Sequence, residues 1–244
     1  MKNIKLIIEY DGMNYSGWQN QDNVITIQEK LEEAIKSVTG EVVRLIGSGR
    51  TDGGVHAIGQ VANFYTNSTI PADRFKFALN IVLPEDISIV ESEEVELDFH
   101  SRFSATKKRY KYLIFNGKVA SPIYRNFSYH IKYDLDLDKM REAAKELIGT
   151  HDFLSFKGRK SIVNNTMRTI YKLEIEKKDN FIEITIEGNS FLRYMVRIIV
   201  GTLIGVGSGR FEKEDIIKIL SDKCRNSAGI TAPPQGLYLE KVFY

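Results

Sequence analysis

The sequence predicts an α+β fold of two similar halves, residues 1–104 and 105–244, each a mainly antiparallel sheet with helices on one face and with a positively charged cleft between them. Three observations predict it. Strand-like apolar runs alternate with segments of helical spacing, and this rhythm occurs twice along the chain. A length of 244 residues suffices for two cores of ordinary size. Hydrophobic residues at 43% against charged residues at 27%, with five prolines and eighteen glycines, describe a folded globular chain and exclude disordered and fibrous classes.

The elements follow in order. Ile4 to Tyr10 is an apolar run with strand character, and DGMNYSGWQNQ after it is rich in turn formers. Ile27, Leu31, Ala34, Ile35 and Val38 recur at helical spacing, with Thr26 placed to cap the start and Gly40 to close the end. Val42 to Ile46 reads as a second strand. Pro71 after Thr69, followed by Phe75, Phe77, Ala78 and Ile81, predicts a second helix, and Ile87 to Val95 returns as a strand. In the second half, Tyr110 to Phe115 and Phe127 to Ile131 read as strands and Leu137 to Ile148 as a helix. Paired strands follow at Thr169 to Ile175 and Phe181 to Gly188, then helices near Phe191 to Ile204 and Lys213 to Ser221. Leu237 to Phe243 is a last strand after the stop signal Pro233-Pro234.

Net charge is only +2, from 34 Lys plus Arg against 32 Asp plus Glu, so composition alone does not announce a polyanion partner. Charge is nevertheless segregated. Glu85 to Asp98 holds seven acidic residues and no basic one, whereas Arg102 to Lys111 holds five basic residues and no acidic one. Phe153 to Lys172 carries Lys157, Arg159, Lys160, Arg168 and Lys172, and Asn189 to Phe211 carries Arg193, Arg197 and Arg210, both without a carboxylate. If these stretches converge they make a phosphate-binding face, with Tyr110, Tyr112, Tyr124 and Phe156 available for base stacking; the alternative is three solvated surface segments. A lone cysteine, Cys224, forbids an internal disulfide and points to a reducing, cytoplasmic setting. No targeting or membrane segment is visible, since the most apolar run, Ile198 to Val206, falls short of the roughly 20 residues of a span. The histidines at 56, 100, 130 and 151 stand apart from any cysteine or glutamate at metal-ligand spacing, so no metal site is expected.

The most unusual stretch is Gly47-Ser48-Gly49-Arg50-Thr51-Asp52-Gly53-Gly54-Val55-His56-Ala57. Four glycines permit a tight turn and close approach to a ligand, and Arg50 and Asp52, two apart, could face one cavity. It is not a phosphate loop, because no lysine follows at the required position and Asp52 would repel phosphate. A plainer alternative is that Asp52 caps a helix and Arg50 neutralises it.

The run GRTDGGVHAIGQVANF closely resembles the signature of the tRNA pseudouridine synthase A family, Gly-Arg-Thr-Asp-Ala-Gly-Val-His-Ala followed by Gly-Gln-Val. The resemblance extends through YDGMNYSGWQNQ, IQEKLEEAI, FHSRFSATKKRYKYLI, HDFLSF, NSFLRYMVRIIVG and APPQGLYLEKVFY, nearly the whole chain. Gly53 and Ser101 stand where the family usually has alanine. The resemblance implies the pseudouridine synthase fold and conversion of uridines 38, 39 and 40 of the tRNA anticodon arm to pseudouridine, with no cofactor and no metal, by a homodimer whose two subunits both contact tRNA. It implies that Asp52 is the catalytic residue, adding to ribose C1′ or abstracting a ribose proton to give a glycal. Arg197 matches a basic residue that keeps the aspartate ionised, Tyr110 the active-site tyrosine, and Leu237 a residue lining the uracil pocket. Arg50 is placed to hold the vacated phosphate or the flipped nucleotide. Lys107, Lys108, Lys157, Arg159, Lys160 and Arg168 form the candidate RNA-binding surface.

Two other function classes compete. A non-catalytic RNA-binding module would need the basic face but not the set Arg50, Asp52, Tyr110 and Arg197. A hydrolytic nucleosidase also attacks C1′, but usually wants a paired acid and base, and Asp52 has no acidic neighbour in its loop.

Overall fold

The computed structural model describes residues 1–159 and 163–244. It is a mixed α+β structure that divides into two compact units, Met1–Thr106 with Tyr238–Tyr244, and Lys107–Leu237. The last seven residues, Tyr238–Tyr244, go with the first unit.

In the first unit, strand β1 (Lys2–Tyr10) lies antiparallel between β3 (His56–Thr66) and β4 (Ile87–Val95). The free edge of β3 takes the short β2 (Ile46–Gly47) antiparallel and β10 (Leu237–Phe243) parallel, with Tyr238 opposite His56. Helices α1 (Ile27–Thr39) and α2 (Phe75–Val82) pack against each other and so share one face of this sheet. Alternation in β1 aims Ile4, Leu6 and Ile8 into the core with Leu31, Ile35, Phe75 and Leu79, and Phe64 meets Phe75 edge to face at 5.5 Å. A buried polar chain runs beside this core: Asn63 Nδ2 donates to Asn3 Oδ1 (2.9 Å) and Ser101 Oγ to Asn63 Oδ1 (2.7 Å). The hydroxyl at 101 thus has a buried partner that alanine would lack.

In the second unit, β5 (Lys107–Phe115), β9 (Phe181–Gly188), β8 (Met167–Lys178) and β7 (Gly149–Asp152) form an antiparallel sheet, with β6 (Tyr129–His130) parallel on the outer edge of β5. Tyr110, Tyr112 and Ile114 face Ile186, Ile184 and Ile182 across the ladder, a run of apolar cross-strand pairs. Helix α3 (Leu137–Lys145) packs on β8 and on both α4 (Met195–Gly207) and α5 (Lys213–Asp222). Helix α4 is buried along its whole length except at Arg197. None of the helices among the described residues is long and apolar enough to cross a membrane.

The caps read in α1 are present: Glu29 N donates to Thr26 Oγ1 (3.3 Å), and Gly40 closes the helix at φ 76°. Four expectations change. Val42–Leu45 is not a strand, because the backbone of Leu45 bonds to side chains of α1, its N–H to Glu32 Oε1 (2.9 Å) and its carbonyl to Gln28 Nε2 (3.2 Å). The helix after Pro71 begins as a 3₁₀ turn and buries Phe75 and Leu79, leaving Phe77 and Ile81 outward, Ile81 at 83% exposure. Helix α4 starts at Met195 rather than Phe191, since Tyr194 adopts the left-handed conformation (φ 65°). The strand expected over Phe127–Ile131 contracts to Tyr129–His130.

Candidate active site

Asp52 lies in the loop Ser48–Val55 that joins β2 to β3. It opens a tight turn in which Val55 N donates to the Asp52 carbonyl (3.2 Å), with Gly54 left-handed at φ 75° as the third residue. Here glycine is required at 54 and not at 53. A Cβ on Gly53 would meet its nearest neighbours at 3.5 Å, ordinary contact, so the alanine usual in the family fits that position without rearrangement.

The loop is held from two directions. Gln60 on β3 is fully buried; it accepts from Ser48 Oγ (2.7 Å) and from Val61 N (3.1 Å), and its Nε2 donates to the Gly49 carbonyl (3.0 Å). Ser48 N also donates to the Val61 carbonyl (2.7 Å). From the other side comes segment 11–18. Trp18 N donates to the Thr51 carbonyl (3.1 Å), Gly54 N to the Tyr15 carbonyl (3.3 Å), and the Tyr10 hydroxyl bonds Thr51 Oγ1 (2.8 Å). Gly17 at φ 101° passes the loop so closely that a Cβ would stand 2.6 Å from the Thr51 oxygen, and a Cβ on Gly12 would overlap the Val55 carbonyl. His56 is buried, accepts from Gly12 N at Nδ1 (3.1 Å) and stacks on Tyr238 at 4.9 Å, so it orders the loop's exit. Backbone and buried side chains thus fix Thr51 and Asp52 before any ligand arrives, while the Asp52 side chain keeps partial exposure and Arg50 is exposed. The sequence marks Arg50, Asp52 and His56 but not Gln60, whose signal is its place, with Asn63, as one of two polar residues in the strand run GQVANF.

Tyr110, Arg197 and Leu237 belong to the second unit. Tyr110 on β5 is nearly buried, its ring edge to face with Phe191 at 5.1 Å. Arg197, the one α4 residue between Met195 and Gly207 that is not buried, donates from Nε to the Ala232 carbonyl (2.7 Å), and Ala232 N returns a bond to the Arg197 carbonyl (3.0 Å). The guanidinium also lies 5.1 Å from the Tyr194 ring. Tyr112, fully buried, donates from its hydroxyl to the Pro233 carbonyl (2.8 Å); burial pushes its phenol well above the usual range, against which Arg197 pulls down. The segment 232–237 is therefore pinned at its start, at two successive residues, Ala232 by Arg197 and Pro233 by Tyr112. It delivers Leu237, buried, at the head of β10.

The candidate RNA-binding residues differ in environment. Lys107 Nζ pairs with Glu187 Oε2 (2.6 Å), and Arg109 with Glu187 Oε1 (2.6 Å). Burial pushes the Glu187 carboxyl up, but the bonds from Lys107 and Arg109 outweigh it and hold the group below its usual range. Lys108 lies on β5 opposite Gly188, and Lys157 is half-buried. Arg159 is exposed and donates to Asn226 Oδ1 (2.5 Å). Arg168 is half-buried and folded back on the carbonyls of Asn165 (3.0 Å) and Met167 (2.6 Å), its Nε without a partner among the described residues. Lys160 lies outside the described residues. Among the described residues, no three His, Cys, Asp or Glu side chains group as metal ligands would.

Comparison with known proteins places these features in context. The tRNA pseudouridine synthase family profile matches residues 6–104 and 143–244. The chain is 55% identical over 244 residues to the tRNA pseudouridine synthase A of Thermoanaerobacter sp. (strain X514), and 52% identical to that of Acetivibrio thermocellus, each covering 100% of both chains. It is 54% identical to tRNA pseudouridine synthase A 2 of Clostridium tetani, over 100% of this chain and 99% of the relative. Among solved structures, the archaeal box H/ACA sRNP Nop10-Cbf5 complex aligns with a TM-score of 0.40 and 14% identity, over 93% of this chain and 59% of that one. The chain belongs to the tRNA pseudouridine synthase family, and with it to the isomerases that turn uridine of tRNA into pseudouridine.

Proposed function

We propose that this chain isomerises uridines 38, 39 and 40 of the tRNA anticodon arm, with Asp52 as its catalytic group. The observation that carries the reading is the Arg50-Thr51-Asp52 turn, fixed by Gln60, Tyr10, Trp18 and Tyr15, in a chain that matches tRNA pseudouridine synthase A over its full length. The reaction breaks the bond from uracil N1 to ribose C1′, turns the base, and joins C5 to C1′; the C5 proton then leaves. A single preorganised carboxylate can start this, by adding to C1′ or by taking a ribose proton. In this reading Tyr110 stacks on the target base and its hydroxyl receives the C5 proton, and Leu237 lines the uracil pocket. Arg197 supplies the cation that keeps the carboxylate charged.

The target base begins stacked in the anticodon arm, and extruding it costs a few kcal/mol. Arg50, exposed beside the Thr51–Asp52 turn, holds the flipped nucleotide. Lys107, Lys108, Lys157, Arg159, Lys160 and Arg168 grip the tRNA body, in a homodimer in which both subunits contact it.

The test is to incubate uridine-containing tRNA with the wild type and with Asp52→Asn, then map pseudouridine by carbodiimide-dependent reverse-transcription stops. Stops at 38 to 40 with the wild type alone, at unchanged tRNA mass, are expected. Released free uracil would instead mark a nucleosidase. Sedimentation of the wild type gives twice the mass of one chain if it is a dimer.

A further inference from the structure

The second unit holds a cleft of about 670 Å3 lined by Arg159, Arg193, Arg210 and Arg225, together with Tyr194 and Asn226, and by no carboxylate among the described residues. The arginines come from four separate stretches, and helix α4 gathers them. Arg193 precedes the helix, and its carbonyl accepts from Gly158 N (2.9 Å), which brings Arg159 alongside. Arg210 follows the helix, its N–H bonded to the Gly205 carbonyl (2.8 Å). The loop of Arg225 docks on the middle of α4: Gly229 N donates to Thr202 Oγ1 (3.0 Å), and a Cβ on Gly201 would overlap the Ile230 carbonyl.

The guanidinium groups are fixed as well as gathered. Arg225 donates to the Gly229 carbonyl (2.9 Å) and to Thr231 Oγ1 (3.0 Å), and Arg159 to Asn226 Oδ1 (2.5 Å). Arg193 lies over the Tyr194 ring at 4.8 Å, and Arg210 over Phe211 at 5.4 Å. Tyr194 takes a left-handed backbone that non-glycine residues seldom adopt, and its ring fits only because residue 158 is glycine, where a Cβ would stand 2.5 Å from Cδ2. Burial lowers the Arg225 pKa, and the like charge of Arg159 lowers it further. Four cations are thus gathered in a concavity whose lining, among the described residues, contains no Asp or Glu.

Such an arrangement suits an anion that accepts planar, forked hydrogen bonds, and phosphate oxygens do. The walls offer little for reading a base, since the Asn226 amide oxygen already serves Arg159 and the Tyr194 ring is engaged by both Arg193 and Arg197. We infer that this cleft grips phosphodiester groups of the RNA strand through Arg159, Arg193, Arg210 and Arg225, independently of sequence. The inference rests on the proposed tRNA substrate and adds Arg193, Arg210 and Arg225 to the residues that contact it.

The experiment compares tRNA binding by the wild type, by Arg193→Gln/Arg210→Gln, and by a charge-matched control, Lys177→Gln/Lys218→Gln, whose lysines are exposed on the same unit and do not line the cleft. Affinity is measured from 50 to 300 mM salt (on the order of the range in which phosphate contacts are titrated). Each lost phosphate contact flattens the slope of log affinity against log salt by about 0.7–0.9, so the cleft variant is expected to lose about 1.4–1.8 of slope and the control none. Its KM for tRNA rises about tenfold or more at unchanged kcat, the signature of lost uniform binding. Equal slopes for cleft variant and wild type, with circular dichroism showing both folded, overturn the proposal. So does tight binding of pyrophosphate or a nucleoside diphosphate that the variant abolishes while tRNA binding stays unchanged, which would assign the cleft to a small phosphate. If the double variant does not fold, Arg210→Gln alone carries the test with half the slope change. A wild type that makes no pseudouridine in tRNA defeats the functional reading itself, a different failure from an active wild type whose cleft variant binds equally well.

Discussion

Replacing Gln60 by leucine isolates what holds the Asp52 loop. The substitution keeps the buried volume roughly constant but removes the acceptor of Ser48 Oγ and the donor to the Gly49 carbonyl. Each of the two hydrogen bonds lost, from buried Ser48 and to half-buried Gly49, is worth about 0.5–1.5 kcal/mol. Together these predict about 1–3 kcal/mol, read as a lower midpoint of urea unfolding at unchanged slope. Because Ser48 and Gln60 share one hydrogen bond, Ser48→Ala/Gln60→Leu should cost less than the sum of the single changes, with a coupling of about 0.5–3 kcal/mol. Under native conditions kcat should fall with KM for tRNA little changed, since the carboxylate loses its fixed placement while the basic surface remains. A Gln60→Leu protein within about 0.5 kcal/mol of the wild type, or strict additivity in the double variant, would refute the claim that this side chain anchors the loop.

Other consequences are equally open to measurement. Gly53→Ala should stabilise the chain by about 0.4–1 kcal/mol by restricting the unfolded state, because its Cβ meets only ordinary contacts, whereas Gly12→Ala, which drives a Cβ into the Val55 carbonyl, should destabilise by more than about 3 kcal/mol; parallel urea titrations compare them. The Glu187 pKa is lower folded than unfolded, so its contribution is present above the usual value of 4.5 and is lost as pH falls through the folded value; melting temperature between pH 6 and 3 should drop less steeply in Glu187→Gln than in the wild type. Tyr110→Phe keeps the ring that meets Phe191 but not the hydroxyl, and is expected to bind tRNA as the wild type does while turning over about 10²-fold or more slowly in single-turnover assays.

How far the sequence reveals this structure depends on where each element gets its hydrogen bonds. Helix α1 was legible because its apolar stripe, Thr26 cap and Gly40 terminus all lie in adjacent residues. Strand β3 was not, although it is an inner strand of its sheet: residues 60–64 are all buried and show no alternation, and Gln60 and Asn63 interrupt it with polar groups whose partners lie 12 and 60 residues away in the chain. Segment 42–45 misled for the opposite reason, since its β-branched residues suggest a strand while its backbone is satisfied by Gln28 and Glu32 of α1. Within the candidate site, the chemistry-bearing residues were readable from the Gly-Arg-Thr-Asp run. The supports, Gln60, Tyr10, Tyr15 and Trp18, act through backbone carbonyls and hydroxyls that sequence spacing does not reveal. The arginine cleft was half visible: charge segregation exposed the stretches, but only the docking of Gly229 and Gly201 shows Arg225 beside Arg193.

In the proposed reaction one aspartate, Asp52, begins the exchange of a carbon–nitrogen for a carbon–carbon glycosidic bond. The most direct measurement uses tRNA tritiated at uracil C5 and follows label released to water under single-turnover conditions, with tRNA binding measured alongside. Wild type should release label from the anticodon arm at unchanged tRNA mass, while Asp52→Asn binds comparably and releases none. Release by Asp52→Asn at a rate near that of the wild type would contradict the account.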